Sequence, residues 1–336
     1  MDSRRLYGWL EGSSVLPDAG RVGVFNAWPG MDLPGIAPDR IRAVQSMAPE
    51  YASLEAQGLK VAKIVNYYYD AVIIKVPREK ALALSFLKDA IRRVAHLGPI
   101  IVDGQKTDGI ESLLKLCRER FDVQEVISRA HGKLFWMRKR DLEVDIMNSL
   151  DFPEPTPKLM SFGFHTAPGV FSADGPDKGS EFLASVLPAL EGRVADLGSG
   201  WGYLAHKILA NASPEVLHLV EADWLAVLCA KENVSHYAAE FHWADATSWT
   251  PPEPVDHVVT NPPFHTSRKA DPELGRAFIR SAAGMLKPKG NLWLVANRHL
   301  PYEKTLEDTF HTVETLGSNP SFKIFHATSP KRSRKG

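Results

Sequence analysis

Cysteine is almost missing from this chain: two residues, Cys117 and Cys229, in 336. Both fall in helix-like stretches and form no metal-ligand cluster, so buried free thiols are expected and no metal-binding set is assigned. Long apolar runs are missing as well. No segment approaches the roughly 18 apolar residues of a membrane helix, and Met1-Asp2-Ser3-Arg4-Arg5-Leu6 lacks an apolar signal core, so a cytoplasmic chain without membrane contact is expected. Net charge is the third absence. The 40 Lys and Arg balance the 40 Asp and Glu, which argues against a protein that coats nucleic acid indiscriminately. What remains is 44% apolar and 24% charged residues, the composition of a soluble globular protein with a sizeable core. The length suits two domains.

Asp151-Phe152-Pro153-Glu154-Pro155-Thr156-Pro157 alternates prolines and should be extended, separating residues 1–150 from 151–336. Ahead of it, Val22-Gly23-Val24-Phe25, Ala71 to Val76, Ile100 to Asp103 and Lys133 to Met137 read as strands. Arg78 to Leu97 reads as an amphipathic helix with Ala81, Leu84, Leu87, Ile91 and Val94 on one face, and Ile110 to Arg120 as another. Alternating strands and helices predict an α/β sheet covered on both faces. The first half holds 22 Lys and Arg against 19 Asp and Glu, the second 18 against 21. Basic clusters at Arg92-Arg93, Arg138-Lys139-Arg140, Arg268-Lys269 and the tail Lys331-Arg332-Ser333-Arg334-Lys335 read as solvated surface or RNA contacts.

The second half carries the chemistry. Arg193 to Gly202 reads as a buried strand breaking into a glycine turn, Asp196-Leu197-Gly198-Ser199-Gly200-Trp201-Gly202, followed by a helix from Tyr203 to Ala210. Glycines let the backbone adopt positive φ and let a ligand approach closely. A dinucleotide fingerprint would place its third glycine at position 203, which is Tyr. A ligand without pyrophosphate, such as S-adenosylmethionine, therefore fits better. The next strand, Val216 to Val220, ends at Glu221, which is placed to accept both ribose hydroxyls. Asp245, at the end of a third strand, is placed for the adenine amino group, with helix capping as its alternative role.

Asn261-Pro262-Pro263-Phe264 ends an apolar run containing Val255, Val258 and Val259. It points to methyl transfer onto an exocyclic or amide nitrogen, whose lone pair is delocalised and has to be held rather than deprotonated. The Asn261 oxygen and the Pro262 carbonyl can accept its two N–H protons. Proline has no N–H of its own, and Phe264 can stack on a planar base. His265 reads as a loop residue facing phosphate or solvent.

Residues 169 to 326 resemble the bacterial ribosomal RNA guanine-N2 methyltransferases of the small-subunit, RsmC-like type. The matching stretches are Gly169-Val170-Phe171-Ser172 with Asp174-Gly175, Asp177 and Gly179-Ser180; the Asp196 to Gly202 turn; Asn261 to His265; Val295-Ala296-Asn297 with Leu300-Pro301-Tyr302; and Phe322-Lys323-Ile324. The resemblance implies two tandem Rossmann-like domains, the first a degenerate copy and the second catalytic, with a seven-stranded sheet ending in an antiparallel hairpin. It implies S-adenosylmethionine as cofactor, held by Phe171, Ser172, Asp196, Gly198, Gly200, Gly202, Glu221, Ala222, Asp245, Ala246 and Asn261. Catalysis falls to Asn261, Pro262, Pro263 and Phe264. The implied partner is ribosomal RNA or the small subunit, and a monomer is expected. For residues 1–150 the alternatives are RNA docking and shielding of an apolar face. Rival functions are methylation of 23S rRNA guanine N2, of adenine N6 or of a protein glutamine, and a non-catalytic RNA-binding assembly factor.

Overall fold

The structure, a computed structural model, describes residues 4–139, 152–263 and 272–331. The chain divides into two compact units, Met1–Thr156 and Pro157–Gly336. Expected was a division at 150/151. Phe152 packs in the core of the first unit, and the buried Lys88 ammonium donates to the Phe152 carbonyl at 2.8 Å and pairs with Glu154 at 2.6 Å.

In the first unit the strands are β1 (Val22–Phe25), β2 (Ile41–Val44), β3 (Lys60–Ala62), β4 (Ala71–Lys75), β5 (Pro99–Gln105), β6 (Val123–Arg129) and β7 (Gly132–Arg138). They form one sheet in the order β3-β2-β1-β4-β5-β7-β6, parallel except for the β6–β7 hairpin and its pairing to β5. Side chains alternate across a strand. Val72, Ile74, Ile100 and Val102 therefore enter one core, and Val22, Val24, Ile73 and Ile101 enter the core on the opposite face. Burial on both faces is why these strands read as continuous apolar runs.

The expected helix Arg78 to Leu97 is shorter, Lys80–Arg93, and its buried face runs through Ala83, Leu87, Ala90 and Ile91, with Ala81 exposed and Leu84 only partly buried. Val94 leaves the helix for an extended conformation and bridges to Tyr69, and Leu97 turns to φ +58. Strands β2, β3 and β6 and the helices Arg4–Gly12 and Ala48–Ala56 add to the expected elements.

The second unit begins with a two-stranded ribbon of β8 (Lys158–Leu159) and β9 (His165–Thr166). Its main sheet contains β10 (Arg193–Leu197), β11 (Val216–Glu221), β12 (Ala239–Trp243), β13 (Val255–Thr260), β14 (Leu286–Asn297), β15 (Phe310–Ser318) and β16 (Phe322–Pro330). The order is β12-β11-β10-β13-β14-β16-β15, with β15 and β16 antiparallel. Strand for strand this repeats the first sheet, and it is the expected pair of Rossmann-like α/β folds, each with its terminal hairpin. Among the described residues no helix is long and apolar enough to cross a membrane. Cys117 and Cys229 are buried free thiols.

The two sheets differ at the carboxyl ends of their first strands. After β1 the chain turns at Asn26, with φ +58, into the buried residues Ala27 and Trp28. Beside them Asp103 is gripped by Arg5 Nε at 2.7 Å and by Lys75 Nζ at 2.6 Å, all three buried, and Lys75 Nζ lies 5.6 Å from the Trp28 ring centre. A paired ionic cluster and an indole thus fill this end of the first sheet.

Candidate active site

In the second unit the corresponding end is built around β10. That strand lies between β11 on one side and β13 on the other, the point where strand order reverses and ligands of open α/β sheets bind. Leu197 pairs with Thr260, and the Thr260 hydroxyl donates to the Leu197 carbonyl at 2.8 Å. This bond ties together the strand ends that carry the glycine turn and Asn-Pro-Pro.

The glycine turn uses its glycines for different purposes. Gly198 has φ +70 and its amide donates to the Val220 carbonyl at 2.9 Å. Gly200 has φ +54, and a Cβ placed there would meet nothing within 4 Å among the described residues. Gly202 has φ +90, but a Cβ there would lie 2.9 Å from a Val234 methyl and 3.4 Å from that of Ala230, so this glycine admits a close helix approach rather than facing the pocket. Phe171, Ser172, Asp177, Ser180, Gly198, Gly200, Tyr203 and Asn261 line one pocket with their neighbours. Phe171 is exposed at its edge, and Ser172, at φ +54, accepts from the Trp201 indole through its carbonyl at 3.2 Å.

The carboxylates occupy three distinct environments. Glu221 accepts the Gly200 amide through one oxygen and the Asp223 amide through the other, both at 2.8 Å. Burial nevertheless pushes its carboxyl up to about 7. Asp196, fully buried, makes no side-chain hydrogen bond of ordinary geometry among the described residues. Burial, with the Glu221 charge adding to it, raises its carboxyl to about 7 as well, against a weaker pull from the Ala205 amide. Asp245, after β12, accepts both the amide and the hydroxyl of Thr247 through Oδ1, at 2.8 and 2.7 Å. Asp245 thus closes a tight turn, and because residues 246–254 between β12 and β13 contain no helix, the expected helix-capping role is not realised. Ala222 follows Glu221 at the same end of the sheet, and Ala246 is buried in the adjoining core.

Asn261 leaves the end of β13. Its side-chain nitrogen donates to Asp177 Oδ2 at 2.8 Å and to the Ser180 hydroxyl at 2.9 Å. A carboxylate only accepts, so the amide nitrogen has to face Asp177 and the oxygen has to point the other way. Pro262 is buried, and the exposed Pro263 stands 4.0 Å from a Cβ built on Gly198. Phe264 and His265 lie outside the described residues, as does Arg140.

Sequence reasoning matched Asp177 and Ser180 as parts of a motif without giving them a role at the site. Asn233 went unnoticed. Its amide holds the loop at three points, donating to the His165 and Trp201 carbonyls at 2.8 Å each and accepting the His165 amide at 2.6 Å. The available signal was an asparagine at the last turn of a helix.

Residues 161–326 match the model of the methyltransferase small domain family. The chain is similar over nearly all its length, 97% of it and 92% of the other chain, to a solved T. thermophilus 16S rRNA N2 guanosine methyltransferase in complex with AdoMet and guanosine, at a TM-score of 0.77 and 24% identity, a likeness of fold. The ribosomal RNA small subunit methyltransferase C of Alteromonas mediterranea is 29% identical over 306 residues, covering 86% of this chain and 85% of that one. The enzyme of the same name from Hahella chejuensis is 30% identical over 272 residues, 77% of each chain. With that identity over that length, and a site of glycine turn, acid and Asn-Pro-Pro assembled on the matching fold, the chain belongs to the family of ribosomal RNA small subunit methyltransferase C.

Proposed function

We propose that the chain transfers a methyl group from S-adenosylmethionine to the exocyclic N2 of a guanine in 16S ribosomal RNA. The observation that carries this reading is the orientation of Asn261, whose amide nitrogen is held by Asp177 and Ser180 so that its oxygen is presented as an acceptor. An amine with two N–H protons needs two acceptors, and the Pro262 carbonyl supplies the other. With both protons engaged, the nitrogen lone pair is directed away from them, and catalysis comes from proximity and alignment rather than from a dedicated base. Its proton passes to water after transfer. A guanine has to leave its stack to be held this way.

The residues present fit the cofactor. A Cβ at Gly200 would enter open space suited to a close ligand, the Glu221 carboxylate would accept ribose hydroxyls beside its Gly200 contact, and Asp245 Oδ2 would accept an adenine amino group. S-adenosylmethionine supplies an electrophilic methyl on a sulfonium. The first unit, with its corresponding crevice filled, serves substrate docking. The substrate-level partner is the small subunit or its RNA, and the chain acts as a monomer.

The test is to incubate the protein with methyl-labelled S-adenosylmethionine and small-subunit ribosomal RNA, free and assembled, and then to digest the RNA to nucleosides. Label in N2-methylguanosine is expected. Label in N6-methyladenosine, or in protein alone, would contradict the reading.

A further inference from the structure

Away from the Asn261 pocket, the outer strands of the second sheet bring three ligand-type side chains to one point. In the parallel pairing of β11 with β12, His218 stands opposite Glu240 and Val220 opposite His242. Residues two apart on a strand share a face, so His218, Glu240 and His242 project from the same side of the sheet. His218 Nδ1 lies 3.1 Å from His242 Nε2 and 3.2 Å from Glu240 Oε2, and Oε2 lies 3.8 Å from His242 Nε2.

These distances have a meaning beyond a hydrogen-bonded cluster. A triangle with those sides has a centre about 2.0 Å from every corner, the bond length of zinc to imidazole nitrogen and to carboxylate oxygen. A cation slightly above that plane would have three protein ligands at bonding distance without movement of the backbone. Trp249 packs against both imidazoles, with ring centres 5.4 Å from His218 and 4.8 Å from His242, and so limits their rotation. Each imidazole can carry its single proton on the ring nitrogen that faces away from the ion. His218 is buried, His242 half-buried and Glu240 exposed, so the site is closed on the sheet side and open to solvent at the carboxylate.

We propose that His218, Glu240 and His242 form a site for a divalent transition-metal cation of the zinc class, with water in the fourth position. Two imidazoles and one carboxylate suit zinc and disfavour calcium or magnesium, which prefer all-oxygen sets. β12 is the edge strand of its sheet, and the bound ion would pin it to β11. The proposal is independent of the methyl-transfer reading.

The test is calorimetric titration of full-length, tag-free, chelator-treated protein with Zn2+ alone, alongside thermal unfolding with and without the ion. One equivalent bound, with a rise in Tm, is expected for the wild type. His242→Ala should abolish that uptake, and Glu240→Gln, an exposed change that leaves the fold intact, should weaken it by at least about tenfold. No uptake by the wild type, or uptake that both variants leave unchanged, would overturn the proposal.

Discussion

Asp177 Oδ2 accepts two hydrogen bonds, from the Asn261 amide nitrogen at 2.8 Å and from the Ser180 backbone N–H at 2.9 Å. One carboxylate oxygen therefore caps the helix Lys178–Ala184 and sets which way the Asn261 amide faces. Because that single oxygen serves both partners, Asp177→Asn keeps both bonds when its carbonyl takes the Oδ2 position, whereas Asp177→Ala removes the acceptor that orients Asn261. The expected result for Asp177→Ala is a kcat lowered by roughly ten- to a hundredfold with cofactor affinity nearly unchanged, because the loss falls on transition-state alignment. The same variant should additionally lose about 1 kcal/mol of stability through the lost cap. Single-turnover rates together with thermal unfolding separate these effects, and a fall in cofactor affinity with kcat preserved would contradict the assignment.

Gly200 and Gly202 are expected to fail differently when replaced by alanine. Both have positive φ, which costs a residue with a Cβ roughly 1–2 kcal/mol. At Gly200 the added methyl enters the open space proposed for the cofactor, so the principal loss should be in cofactor affinity. At Gly202 it meets the Val234 methyl at 2.9 Å, so the principal loss should be in Tm. Equal effects of the two substitutions on both quantities would show that the glycines do not divide their work in this way.

Asp196 and Glu221 both have carboxyls raised to about 7 by burial. Between the ordinary carboxylate range near about pH 4 and the folded value, the ligand-free fold holds more protons than the unfolded chain, so its stability should fall as pH rises through that window. If Glu221 holds the ribose hydroxyls as proposed, it does so in its ionised form, and cofactor binding has the opposite dependence. Affinity for S-adenosylmethionine should therefore rise from pH 6 to pH 8, by at most about tenfold per pH unit for one proton. Calorimetry in buffers of different ionisation enthalpy should detect proton release, and Glu221→Gln should remove it. A pH-independent affinity would contradict the assignment of Glu221.

Charge reversal tests the docking role of the first unit. Arg92 is paired with Glu154; among the described residues, Arg138 donates to the Leu97 carbonyl and lies 5.2 Å from the Trp136 ring centre, and Lys139 donates to the Val94 carbonyl. Arg138→Glu with Lys139→Glu should weaken binding to ribosomal RNA and flatten its dependence on salt, by about one counterion for each phosphate no longer neutralised. An unchanged affinity and salt slope in a folded double variant would remove this cluster from docking.

The parts of the fold legible in the sequence were those where local pattern and burial agree. β1, β4 and β10 are buried on both faces, and Phe25, Lys75 and Leu197 end them where apolar runs stop. β2 and β3 were not legible, because Ile41–Val44 and Lys60–Ala62 are short, carry a charged residue and become strands only through parallel neighbours. The helix Lys80–Arg93 was legible, but its register was not: the interior position of Ala83 and Ala90 rather than Ala81 depends on what packs against them. At the site, Glu221 and Asn261 could be named from motif order. The clamp of Asp177 on Asn261 spans 84 residues of sequence and no local spacing encodes it. His218 and Glu240 likewise meet only through strand pairing.

The measurement that tests the account most directly is single-turnover methyl transfer to small-subunit ribosomal RNA by Asn261→Ala, alongside its equilibrium affinity for S-adenosylmethionine. Asn261 is assigned to hold the acceptor nitrogen, an interaction made chiefly in the transition state. The expected result is a rate lowered about a hundredfold or more, with cofactor affinity close to that of the wild type. A variant that methylates guanine N2 at the wild-type rate, or one that loses activity only because it no longer binds cofactor, would contradict that assignment.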